Sequence, residues 1–172
     1  MDITEKVRGA LGGLERLAAS IPGYKGYKEK EMRREADKLL RMHLARQLEE
    51  QWRRLPDLQK QLIGAGQLEL VDDLEGAVMG LQTIVDRLKT ASYGYAGFFD
   101  AVKVKEEQLD ALYRFDEALL NEVPKVAEGI DRVAAAIAAQ KGMAEAIAEL
   151  AATVRKIGET LHRRQDVMLQ AS

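Results

Sequence analysis

The chain has 172 residues, of which 47% are hydrophobic and 31% are charged, and this balance excludes wholesale disorder. Aromatic residues make up only 5% and prolines number three, which favours helices over a β-sandwich. Because there is no cysteine, the sequence excludes a disulfide, a thiolate metal site and a cysteine nucleophile. We therefore expect an all-α protein, with residues 1–172 forming a single helical-bundle domain.

The charges divide unevenly along the chain. Residues 1–65 hold 14 Lys and Arg against 10 Asp and Glu, whereas residues 66–172 hold 12 against 18. Such a division is typical of solvated helix faces of opposite sign, and a basic stripe for phosphate or anionic lipid is the alternative. The formal net charge of −2 does not favour general nucleic-acid binding, and we expect no sequence-specific nucleic-acid partner.

The sequence has no stretch that is long and apolar enough to cross a bilayer. Its first twenty residues carry six charged side chains and do not resemble a secretory signal peptide. We expect a cytoplasmic protein without a transmembrane segment, and contact with a membrane surface stays open.

The first predicted helix covers residues 3–19 and ends at the break from Ser20 to Gly23. Its glycines weaken it, so residues 1–20 are alternatively a loosely packed or separately docking segment. The apolar residues on one face are Ile3, Val7, Leu11, Leu14 and Leu17.

A second helix is predicted to begin near Tyr27 or Lys28, and Pro56 either kinks it or ends it. A short continuation reaches a turn at 64–66, and a third helix follows over 67–92. In that helix Gly76 and Gly80 form a notch of small residues, which permits the close approach of another helix.

Beyond residue 101 the apolar residues recur at spacings of three and four, with Asp116 as one polar interruption. Pro124 either kinks this helix or lies in the first turn of a new one capped by Asn121. Residues 140–142 predict a hairpin turn at Gly142, and a continuous helix is the alternative. The expected architecture is an elongated antiparallel bundle of four to five helices with coiled-coil-like seams.

Two helix breaks, residues 23–28 and 93–100, combine glycine with tyrosine and hold six of the nine aromatic residues. If the helices between them form a hairpin, both breaks lie at one end of the bundle. We predict a ligand- or partner-binding surface there, and an aromatic plug with its hydroxyls facing water is the alternative. The candidate binding residues are Tyr24, Lys25, Tyr27, Arg33, Arg34, Tyr93, Tyr95, Phe98 and Phe99.

Catalytic and metal-binding patterns are incomplete. Glu159 and His162 have the spacing of a ferritin-like ligand pair, but the other histidine, His43, has no acidic residue three positions before it. We expect no metal, no cofactor and no catalytic residue. His43 and Asp116 are predicted to be buried polar residues, with Asp116 setting register or pairing with a cation.

The leading functional expectation is a non-enzymatic helical bundle that acts through protein–protein interaction or self-association. Long seams and a small catalytic inventory favour this interpretation. One alternative is a peripheral membrane-associated bundle anchored by the N-terminal amphipathic helix. Another is a small-ligand binder or enzyme that uses the aromatic end of the bundle.

Overall fold

The computed structural model describes residues 13–91 and 106–170, with no side-chain description at 170. These residues form an all-α helical bundle without strands, which confirms the predicted fold class. A short 3-10 turn, Lys30–Met32, leads into the first long helix. The helices are α1 (13–20), α2 (Arg33–Trp52), α3 (Leu55–Gly64), α4 (Leu68–Thr90), α5 (Glu106–Ala139) and α6 (Met143–Gln170).

The breaks between consecutive helices follow from proline and glycine. Pro56 lies in the first turn of α3, where its missing N–H leaves no hydrogen bond unmade, so α2 ends before it. Gly66 adopts a φ of +73° between α3 and α4, and Gly142 adopts +72° between α5 and α6. The hairpin predicted at Gly142 is confirmed, because two separate helices meet there.

Helix α5 runs without a break through Pro124, so of the two alternatives the new helix capped by Asn121 is wrong. The side chains at Leu119, Val123 and Val126 keep one phase across the proline and are all buried. Continuous packing of this face stabilises the helix and offsets the hydrogen bond that proline removes.

The long helices form two antiparallel hairpins. In one of them, Glu122 of α5 accepts a hydrogen bond from Thr160 of α6, and about three turns nearer the turn at Gly142 Arg132 of α5 pairs with Glu149 of α6. In the other, α2 packs antiparallel to α4. Leucine, isoleucine and valine from both hairpins meet in a common core.

Between the two hairpins, α4 and α6 lie side by side and run in the same direction. The Cα of Gly80 faces Val154, and one turn further along both helices Gly158 faces Ile84. The sequence predicts an antiparallel bundle. The observed bundle is antiparallel within each hairpin, but it is parallel where α4 contacts α6. Among the described residues, no helix is long and apolar enough to cross a membrane.

Candidate functional site

The segment between α1 and α2 is folded into the bundle through Tyr27. Its side chain is fully buried, and its hydroxyl donates a hydrogen bond to Oδ2 of Asp116 on α5. Its backbone N–H donates to the hydroxyl of Tyr113 at 2.5 Å, and its carbonyl accepts from Nε of Arg33 at 2.8 Å. A loop residue is thus held by three polar contacts to α5 and to the start of α2.

Arg164 of α6 links the carboxylates of two other helices. Its Nε donates to Oδ1 of Asp116 at 2.6 Å, and its Nη2 donates to Oδ1 of Asp37 at 2.5 Å. The second oxygen of Asp37 accepts from Nε of Arg41 at 2.8 Å. We refer to Tyr27, Asp37, Arg41, Asp116 and Arg164 as the polar cluster. It contains two guanidinium groups and two carboxylates.

The polar cluster also reaches the end of α4. Nη1 of Arg41 donates to the carbonyl of Leu88 at 2.5 Å, in the last turn of that helix. Such carbonyls lack a partner within the helix, and a cation there is favoured by the helix dipole. The cluster therefore joins α2, α4, α5, α6 and the segment before α2.

Burial governs the electrostatics of the cluster, because none of its five residues is more than 2% exposed. Burial raises the pKa of Tyr27 well above its ordinary value, and Asp116 adds to the rise. Burial alone would lower the pKa of Arg164, but Asp116 and Asp37 raise it well above the ordinary value. Tyr27 therefore remains a donor and Arg164 remains charged across the neutral range.

Glycine is required where the segment passes Tyr113. Gly26 has a φ of +79°, and a Cβ there would collide with the hydroxyl of Tyr113 and with Cδ1 of Leu14. Both colliding atoms belong to this chain. The conformational freedom that glycine supplies at this break is therefore used to bury the chain's own side chains.

The structure distributes the predicted binding residues over different environments. Tyr24 and Tyr27 are buried, with their rings edge to face at 6.2 Å, so they close this end of the bundle. The hydroxyl of Tyr27 faces Asp116 and not water, unlike in the predicted plug. Lys25 and Arg34 are exposed. Tyr93, Tyr95, Phe98 and Phe99 lie outside the described residues.

The two residues predicted to be buried polar groups differ. Asp116 is fully buried and held by Arg164 and Tyr27. His43 is half-buried on α2, and its Nε2 is shielded from solvent without a hydrogen-bond partner among the described residues. Burial, and secondly the charge of Arg46, lowers the pKa of His43.

The sequence patterns did not identify three members of the polar cluster as buried site residues: Asp37, Arg41 and Arg164. A signal existed for one of them, because Arg164 follows Leu161 by three positions and precedes Met168 by four. It occupies a seam position on α6 just as Asp116 does on α5. Two opposite charges that interrupt neighbouring seams indicate a buried ion pair.

A second region of interest is an open groove of about 720 Å³ between α4 and α6. Its rim carries three charged side chains, Asp73 and Arg87 on α4 and Arg155 on α6, and none of them has an ion-pair partner in residues 13–91 or 106–170. The glycines and alanines that line it are Gly76, Ala77, Gly80, Ala144, Ala148, Ala151 and Gly158.

The two glycines of the predicted notch have different surroundings in this groove. A Cβ on Gly80 would lie 2.9 Å from Cγ1 of Val154, so this glycine allows α4 to approach α6. A Cβ on Gly76 would meet nothing within 4 Å. Met79 is not a lining residue, but it follows Gly76 by three positions and precedes Thr83 of the lining by four, so its 60% exposed side chain borders the groove. Gly80 is therefore needed for helix packing within the fold, whereas the space beside Gly76 is unfilled by the described residues.

Within the part of the chain that is described, no group of three or more histidine, aspartate or glutamate side chains could hold a metal ion. Comparison of the chain with protein-family models, with curated proteins and with solved structures gives no match. The function is therefore argued from the polar cluster and the groove alone.

Proposed function

We propose that this protein is a non-enzymatic helical bundle that works through protein–protein interaction, and that the groove between α4 and α6 receives a helix. The observation that carries the proposal is the open groove itself, which is lined by small residues and bordered by charges that have no ion-pair partner among the described residues. A helix packs with its axis 8–10 Å from its neighbour's, and small residues at the contact permit the closer end of that range.

Gly76 supports an intermolecular use of the groove. A glycine inside a helix is less favourable than alanine by about 0.5–1 kcal/mol. No described atom of this chain lies within 4 Å of the position that its Cβ would take. A helix from another molecule supplies a reason for glycine there that the chain's own packing does not.

Met79 adds apolar surface beside the same groove. Its side chain is 60% exposed on α4, and methionine adapts its shape to partners well. The polar cluster supports the non-enzymatic part of the proposal, since its acids and cations are paired with one another and shielded from solvent. A substrate has no access to them.

Site-specific photocrosslinking tests the proposal. A photoreactive amino acid replaces Met79 at the groove, and a matched variant carries it at Lys125, an exposed position on α5. In the cells that make the protein, we expect a crosslinked protein adduct from position 79 and none from position 125. Adducts at neither position, or equal adducts at both, would contradict the proposal.

A further inference from the structure

We infer that the helix in this groove is α4 of a second copy of the chain, which lies antiparallel to α4 about a two-fold axis at Gly80. This inference rests on the proposed function and names its partner. A two-fold arrangement is closed, because the same patch is used on both copies.

Charge complementarity selects this occupant. Asp73 and Arg87 both border the groove, and each lies seven residues from Gly80 in the chain. At about 1.5 Å per residue they are about 21 Å apart on one helix. When two copies of α4 run antiparallel about Gly80, Asp73 of each copy lies opposite Arg87 of the other.

The same two residues exclude the parallel arrangement. If the two copies ran in the same direction, Asp73 would face Asp73 and Arg87 would face Arg87, and like charges repel. Neither side chain has an ion-pair partner within the described ranges of one chain, so both are available for the second copy.

The apolar middle of the interface fits the same register. The two-fold axis crosses α4 at the level of Gly80, whose Cβ position faces Val154 of α6, and it is the open side of α4 at Gly76 that lets the two copies approach closely. Met79 directly precedes Gly80 in the chain, so each copy contributes one exposed methionine to the border of the interface at the level of the axis. Gly76 leaves open space one turn from the axis on each copy, which the second helix occupies.

Charge reversal tests the register. Asp73→Arg creates two repulsive cation pairs in the dimer, and Arg87→Asp creates two repulsive carboxylate pairs. We expect each single variant to weaken self-association at least tenfold in sedimentation velocity. When the two variants are mixed in equal amounts, every pair becomes complementary, and we expect association to return within about threefold of the wild type. The double variant Asp73→Arg/Arg87→Asp restores association by itself for the same reason.

Controls separate the interface from folding and from net charge. Circular dichroism and melting of each variant show that the helices remain folded. A mixture of Glu50→Arg with Lys125→Asp has the same net charges on exposed positions of α2 and α5. We expect each of these variants to associate like the wild type, and a loss there as large as that of the groove variants would overturn the register.

Three results overturn the inference. The first is a wild type that stays monomeric up to about 1 mM, which is the weak end of specific affinity. The second is that the single variants associate like the wild type. The third is that the mixture of the two single variants fails to associate. If the wild type is monomeric while position 79 still crosslinks to another protein, the second copy is overturned and the proposed function stands. If position 79 crosslinks to nothing as well, both are overturned.

Discussion

The polar cluster and the groove between α4 and α6 differ most in how far their side chains are buried and paired. In the cluster, large charged side chains are buried and each contacts another member. In the groove, small residues leave space open and the charges on its rim have no ion-pair partner among the described residues. This contrast is the basis for assigning the cluster to the fold and for proposing the groove as the site of another molecule.

Two glycines make the same distinction on a smaller scale. At Gly26 the place of a missing side chain is filled by Tyr113 and Leu14 of the same chain. At Gly76 that place is empty. Glycine is therefore evidence for an interface only where the chain's own atoms do not account for it, and the sequence alone cannot distinguish the two cases.

Removal of Arg164 is expected to have the largest effect. Arg164→Met leaves the carboxylates of Asp37 and Asp116 buried with one cation of the cluster, Arg41, which pairs with Asp37. Removing one partner of a buried ion pair costs about 3–5 kcal/mol, and we expect that loss in the free energy of unfolding measured with urea. The neighbouring Arg163→Met, at an exposed position, is the matched control and should cost less than about 0.5 kcal/mol.

A second substitution shows whether the cost comes from the uncompensated charge. In Arg164→Met/Asp116→Leu the remaining pair of Asp37 with Arg41 keeps its own balance. We expect this double variant to be more stable than Arg164→Met, because replacing both partners avoids a buried unpaired carboxylate. A single variant that loses less than about 1 kcal/mol would show that the cluster does not hold the helices together.

Gly26→Ala is expected to have the next largest effect. The left-handed backbone conformation costs an alanine about 1–2 kcal/mol, and the collision with Tyr113 and Leu14 adds about 1–3 kcal/mol. Gly66→Ala is the matched control, since its φ is +73° and nothing lies within 4 Å. We expect Gly66→Ala to cost the conformational part alone. Equal losses of unfolding free energy would mean that packing at Gly26 is not tight.

Alanine at the two groove glycines is expected to change stability in opposite directions. Gly76→Ala should raise the free energy of unfolding of the monomer by up to about 1 kcal/mol, because alanine favours the helix and meets no atom. Gly80→Ala should lower it by about 1 kcal/mol, because overpacking against the stiff side chain of Val154 exceeds that gain.

Both glycine variants are measured in the Arg87→Asp background, which holds the protein monomeric under the proposed register. Val154→Ala combined with Gly80→Ala provides the check on the cause, since it removes the methyl group that a new Cβ would meet. The combined loss should be smaller than the sum of the two single losses. Stabilisation by Gly80→Ala would show that α6 does not depend on that glycine.

Local sequence signals predicted the helices and turns well. Glycine at 66 and 142 marks the chain reversals, proline at 56 marks the break between α2 and α3, and the periodic apolar residues mark the buried faces. Pro124 led to one wrong alternative, a new helix at Asn121. The local proline signal does not include the stabilisation that a continuous buried apolar face gives to the helix. The all-α class needed no information beyond composition and periodicity.

The polar cluster was harder to predict, because its members are far apart in the chain. Asp116 and Arg164 both interrupt a seam, and the hairpin at Gly142 brings the two seams together, so this pair is recoverable from the sequence. Tyr27 and Asp37 are not, since their positions depend on how the segment before α2 folds onto α5 and α6. The run of charges at the start of α2 is typical of a solvated face, yet Asp37 within it is 2% exposed.

His43 is half-buried, intermediate in exposure between the buried polar cluster and the open groove, and its substitution is expected to change the free energy of unfolding least. Its pKa is lowered by burial and by Arg46, so the unfolded chain binds a proton more readily than the folded chain does. The contribution to stability is therefore present above the unfolded pKa of about 6.5 and declines as the pH falls below it. Unfolding with urea between pH 7.5 and about 5 should show this decline, and His43→Gln should flatten it. His162→Gln, at an exposed position on α6, keeps His43 and should retain the decline. If the unfolding free energies of His43→Gln and the wild type change equally with pH, His43 is exposed to solvent and is not part of the packed face of α2.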